Sequence, residues 1–162
     1  MLNLRALTFS VNLCALVLAV VALAVPASAA DSQVGTWKLN AANSKSSPGP
    51  VPKSATLKIE AIENGYKVSL DGVDGQGNPT RAAFSVKADG KDHPATGLPY
   101  ADTITMKRID ADTIQTVSKK GGKVTVTTRS VVSKDGKTRT LTQTGKNEQG
   151  QDVKNILVYE KQ

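Results

Sequence analysis

Ala55-Thr56-Leu57-Lys58-Ile59-Glu60-Ala61, then Ile62-Glu63-Asn64-Gly65, then Tyr66-Lys67-Val68-Ser69-Leu70-Asp71-Gly72 carries the clearest fold signal in the chain. Ala55, Leu57, Ile59 and Ala61 alternate with Thr56, Lys58 and Glu60; Tyr66, Val68 and Leu70 alternate with Lys67 and Ser69. A period of two places the apolar set on one face of a strand. Asn-Gly between two such runs supplies the positive φ that reverses an antiparallel pair, so the stretch predicts a β-hairpin. The same beat continues outward. Asp71-Gly72, Gly77-Asn78, Asp89-Gly90, Gly121-Gly122 and Asp135-Gly136 separate further short alternating runs, down to Val153, Asn155, Leu157 and Tyr159 against Ile156 and Val158.

The other expected strands are Val34 to Asn40 with Trp37 and Leu39 on one face, Thr80 to Lys87 with Phe84 and Val86 inward, Ile104-Met106-Arg108, Thr113 to Lys119, a strand placing Val124 and Val126 on one face, and Thr138-Thr140-Thr142 alternating with Arg139-Leu141-Gln143. The total is about nine strands, an all-β antiparallel meander. Two connections are longer. Residues 41–53 contain Pro48, Gly49, Pro50 and Pro52, which bar a helix, and residues 88–102 contain Pro94, Gly97 and Pro99. Short turns join neighbours and closure removes exposed edges, which favours an up-and-down barrel; a β-sandwich, which needs more long crossovers, is the alternative.

Residues 1–30 stand outside this rhythm. Arg5 precedes an apolar run through Leu13 to Leu23, and Pro26 with Ala27-Ser28-Ala29-Ala30 ends it. That order is expected of a secretory signal peptide cleaved after Ala29 or Ala30, leaving one domain over 31–162 and no membrane span. The expected location is the periplasm or the medium. Cys14 is the sole cysteine and would leave with the signal, so packing alone stabilises the exported domain. The full chain carries a formal charge of +7, and the signal removes only Arg5 from it.

Gly35-Thr36-Trp37-Lys38-Leu39 resembles the opening strand of lipocalins and of intracellular fatty-acid-binding proteins, and Val158-Tyr159-Glu160-Lys161 resembles the closing strand of the latter. The chain is also similar to small exported bacterial lipocalin-like proteins without an assigned activity. The resemblance implies a calycin barrel whose lumen takes a small hydrophobic ligand, with Tyr159 among its binding residues. Two departures qualify it. Residues 41–53 leave no room for the helical lid of the fatty-acid binders, and Leu157 stands where that family has the carboxylate-binding arginine two places before the tyrosine. Arg129, Arg139 and Arg108 are the candidates for a substitute charge, against the ordinary expectation that each lies outward in water.

Catalytic patterns are poor. After residue 30 the one histidine is His93; no Gly-x-Ser-x-Gly elbow exists, and one histidine without cysteine is a weak zinc set. Asp71 to Asn78 lacks the register of a calcium loop and reads as a turn cluster. The expectation is a non-enzyme with no cofactor or metal. Trp37 is either a ligand platform or a plug at the closed base, the latter favoured because large aromatics dominate cores. His93 and Tyr100 sit in the long 88–102 loop, a candidate mouth. Trp37, His93, Tyr100, Tyr159 and Arg129 thus form the expected ligand-binding set.

Lys119-Lys120-Gly121-Gly122-Lys123 offers cations to an anionic envelope surface, or is simply a solvated hairpin tip. Basic residues are not interleaved with stacking aromatics, so nucleic acid is not an expected partner. The reading is a monomeric exported barrel binding a small amphipathic or hydrophobic ligand. The alternative is an envelope-associated interaction or inhibitor protein with a filled core, acting through its loops.

Overall fold

The computed structural model describes residues 31–147 and 149–162, so the signal sequence expected over 1–30 lies outside the described residues. The strands are β1 (Gly35–Leu39), β2 (Ser54–Ile62), β3 (Gly65–Val73), β4 (Pro79–Lys87), β5 (His93–Thr96), β6 (Thr103–Arg108), β7 (Thr113–Lys120), β8 (Lys123–Val132), β9 (Thr138–Lys146) and β10 (Asp152–Lys161). Each pairs antiparallel with its sequence neighbours, and β10 pairs with β1, closing a ten-stranded meander barrel. The β-sandwich alternative is therefore set aside.

The β2–β3 hairpin has Ile59 opposite Val68 and Leu57 opposite Leu70, with Asn64 at φ 55° turning the chain. Residues directly opposite point to one face, so these apolar side chains face the interior together. The tenth strand is β5, which lies inside the expected 88–102 loop. It has only four residues and begins His93-Pro94, too short to show alternation, and it joins the sheet through Ala83↔Thr96 and Phe84↔Ala95 on one side and His93↔Ile104 and Pro94↔Thr103 on the other. The 41–53 connection also has structure: a 3-10 turn at Ala41–Asn43, capped by the Asn40 side chain, and a bridge between Lys45 and Ile156.

Val124 does not share an inward face with Val126. A bulge between Ser118 and Lys119 pairs Ser118 with Val126 but Lys119 with Val124, so one extra residue reverses the alternation and leaves Val124 60% exposed. The buried core contains Trp37, Leu57, Ile59, Tyr66, Val68, Val86, Ile104, Met106, Ile114, Val132, Leu157 and Tyr159. Burying each large aliphatic member contributes roughly 1.5–3 kcal/mol.

Candidate functional site

Strand direction sorts the connections to two ends. The 44–53 segment, the β3–β4 turn and residues 97–102 gather at one end, the mouth; the 31–34 segment and the turns near Asn64, Asp110 and Asp135 lie at the other, the base. Between them is a cavity of about 410 Å³, lined from the mouth residues Pro48, Pro50 and Leu98 down to Tyr66, Arg139 and Tyr159. Small-molecule sites span roughly 300–1,000 Å³. A ten-stranded barrel is wider than the eight-stranded kind that side chains can just fill, which accounts for the space.

The lumen has two unlike walls. On β2 to β5 the two middle inward rows, Leu57–Leu70–Ala82 and Ile59–Val68–Phe84–Ala95, are all apolar, with Thr80 toward the mouth and Tyr66 toward the base. On β7 to β10 one row reads Thr116–Thr128–Gln143–Asn155, each residue the cross-strand partner of the next. Gln143 Nε2 donates to Thr128 Oγ1 at 3.4 Å, and Asn155 Nδ2 donates to Gln143 Oε1 at 3.1 Å. The next row toward the base, Ile114–Ser130–Leu141–Leu157, is apolar apart from Ser130, which is buried with its hydroxyl unpartnered among the described residues.

The mouth is crossed by residues 44–53. Ser46 Oγ and the Ser47 N–H donate to Asn155 Oδ1, and the Lys154 N–H donates to the Ser47 carbonyl, fixing one end to β10. The other end meets the β3–β4 turn. A Cβ built on Gly75 would come within 2.4 Å of Pro50 Cγ, so only glycine admits this approach.

The base is plugged by polar contacts around Trp37, which is 0% exposed. Its Nε1 donates to the Gln33 carbonyl at 3.2 Å, the same oxygen that accepts from Arg139 Nη1 at 3.3 Å. The Arg139 guanidinium and the Lys161 ammonium lie 5.7 and 5.1 Å from the indole ring centre. Gln33 Nε2 donates to the Asp112 carbonyl at 2.8 Å. Asp31 accepts from the Tyr66 hydroxyl at 2.6 Å and from Arg108 Nη2 at 2.7 Å, and Arg108 also donates to the Tyr66 oxygen. Burial would raise the Asp31 carboxyl, but hydrogen bonds from Tyr66, the Gln33 N–H and Arg108, with the Arg108 charge, hold it below its ordinary value.

Arg139 is a correction to the sequence reading. It is 3% exposed, on the base side of the lumen wall, with no carboxylate in ion-pair range among the described residues and its Nε unpartnered. Burial pushes it down to about 10, so it stays cationic at neutral pH, helped by Tyr159, Tyr66 and Asp31. Tyr159 is pushed up to about 12, by burial first and then by Tyr100, with Arg139 opposing. Burial also raises the Tyr100 phenol, against the pull of the Gln143 side chain. Both phenols are therefore neutral donors at physiological pH.

Of the five expected binding residues, Tyr100 and Tyr159 line the lumen. Trp37 is in the base plug, below the cavity. His93 is outside the lining, with its ring nitrogen 2.9 Å from Asp89 Oδ1 at the base end of β5. Arg129 lies on the outer face of β8, exposed. Arg108 is half exposed in its ion pair with Asp31. The lining residues that sequence reasoning passed over are Gln143, Asn155, Thr128 and Thr116, whereas Arg139, one of the three candidates for a substitute charge, does line the lumen. The signal for Gln143 was present: Leu141 belongs inside, and strict alternation carries Gln143 inward with it, as it does Arg139. Asp74, in the stretch tested for calcium, accepts from the Gly77 and Asn78 N–H groups, forming a turn.

No model of a known protein family matches this chain, and no curated protein matches its sequence.

Proposed function

We propose that this protein is an exported, non-catalytic, lipocalin-like carrier that takes a small amphipathic or hydrophobic molecule into its barrel. The observation that carries the reading is the cavity of about 410 Å³, roofed by the 44–53 segment and walled on one side by Leu57, Leu70, Val68 and Phe84. Apolar surface laid against that wall gains about 25 cal/mol per Å² removed from water. Tyr100 and Tyr159 add neutral donors to the opposite side. Export is supported by the signal-like residues 1–30, and the positive charge that remains once Arg5 is lost suits an anionic envelope surface as a weak partner. The filled-core interaction barrel has the cavity against it.

The test is titration of the purified domain with the dye 1-anilinonaphthalene-8-sulfonate, beside Ala82→Phe. Ala82 is 3% exposed and lines the lumen, so the added ring occupies ligand space. Saturable dye fluorescence that Ala82→Phe abolishes, with far-UV circular dichroism unchanged, is the expected result. Equal dye binding by both proteins would place the site outside the barrel and defeat the reading.

A further inference from the structure

The division of the lumen into two walls bears on what it holds. Resting on the carrier reading, the geometry points to a facially amphipathic ligand: a ring skeleton with neutral hydroxyl or carbonyl groups along one face, received by the Thr116–Thr128–Gln143–Asn155 belt, and with its bare face on the β2–β5 wall.

The belt is one continuous row. Its members are directly opposed across β7, β8, β9 and β10, so all project from the same sheet face at the same level. At the ~4.8 Å spacing of neighbouring strands, four of them span about 14 Å of wall. That is the reach of several polar groups distributed along a ligand, not of one headgroup. The other wall is the inverse: Leu57, Leu70, Val68 and Phe84 offer nothing that can hydrogen-bond through a side chain.

Asn155 is held by Ser46, Ser47 and Gln143, but the middle of the belt is loosely bonded and has an unpartnered hydroxyl beside it. The Gln143–Thr128 contact is long at 3.4 Å. Ser130 Oγ, diagonal to Gln143 across β8 and β9, is buried without a partner among the described residues. Amide and hydroxyl groups in such a wall hydrogen-bond in either sense, which suits neutral oxygens and makes no demand for charge. An unsubstituted alkyl or ring surface pressed on the belt would strip it of water and return nothing, and sites built this way reject the analogue that lacks the polar group.

Two probes share one skeleton and one carboxylate: 5β-cholanate, without hydroxyls, and deoxycholate, with two hydroxyls on a single face. Each is titrated below its micelle concentration as a competitor of the same dye. A uniformly greasy lumen would favour cholanate, the less soluble of the two. The two-walled lumen favours deoxycholate, by tenfold or more. Thr128→Val is close in shape and Gln143→Leu removes the amide; together they should reverse the order while the dye still binds. Thr128→Val alone, which keeps the side-chain volume, should at least narrow the ratio several-fold. Tighter binding of cholanate by the native protein, or an order indifferent to both variants, would overturn this inference and leave the carrier intact. Dye binding that neither steroid displaces would overturn it too. Absence of binding by dye and steroids alike would remove the carrier reading with it.

Discussion

Replacing Trp37 by alanine tests the base of the barrel. The indole is 0% exposed, so the substitution empties a full core site, which costs about 3–5 kcal/mol for an aromatic. Two further losses push toward the top of that range. The 3.2 Å bond to the Gln33 carbonyl disappears, a net contribution of about 0.5–1.5 kcal/mol, and the buried Arg139 loses the ring face beside it. Against a typical domain stability of about 5–15 kcal/mol, the variant should be marginal. Trp37→Phe keeps an aromatic ring but loses the donor and part of the volume, and should cost less than the alanine, about 1–3 kcal/mol. Urea unfolding followed by far-UV circular dichroism measures both, since the sole tryptophan cannot report its own removal. Because Trp37 lies below the cavity, Trp37→Phe should leave dye affinity within a factor of about two, as expected for a change outside the site. A loss below about 1 kcal/mol for Trp37→Ala would refute the plug.

Asp31 is held below the ordinary aspartate range, so the stability it confers is complete above about pH 4 and drains away as pH falls through the lowered folded-state value. Asp31→Asn should be less stable than the native protein at pH 7, the two converging in acid; a constant gap across a pH series of urea midpoints would contradict this. Gly75→Ala should push Pro50 off the mouth and speed dye release several-fold in stopped-flow fluorescence with the barrel intact; unchanged release would show that the 44–53 segment does not gate the lumen. His93→Ala should change stability by no more than about 0.5 kcal/mol and leave dye affinity unaltered, whereas Tyr100→Ala, which strips an aromatic from the lining, should weaken the dye clearly. A His93 effect as large as that of Tyr100 would move the site toward the base.

The regular strands were legible because their physics is local. Asn64-Gly65 with Leu57, Ile59, Val68 and Leu70 at a period of two specifies a hairpin, its register and its inward face without any distant partner. β5 was hidden for the opposite reason: His93 to Thr96 is strand only because β4 and β6 hold it from both sides. Val124 was misplaced by a bulge, which moves a residue across the sheet without changing the local pattern. The site was harder. Threonine suits a polar lumen as well as a water-facing surface, so Thr116 and Thr128 inside and Thr142 outside look alike in sequence. Arg139 defeats the rule that arginines face water because its charge rests on Gln33, Trp37 and nearby phenols, contacts that join residues far apart in the chain. The polar belt exists only once four strands are in register.

Native mass spectrometry of the gene product, purified from its native host without detergent exchange, asks directly whether the barrel carries a small molecule. The expected species is a monomer whose mass exceeds that of the polypeptide by one small non-covalent molecule, released on collisional activation and missing from Ala82→Phe prepared in the same way. A bare polypeptide mass for both proteins, or a retained macromolecular partner with no small molecule, would contradict it.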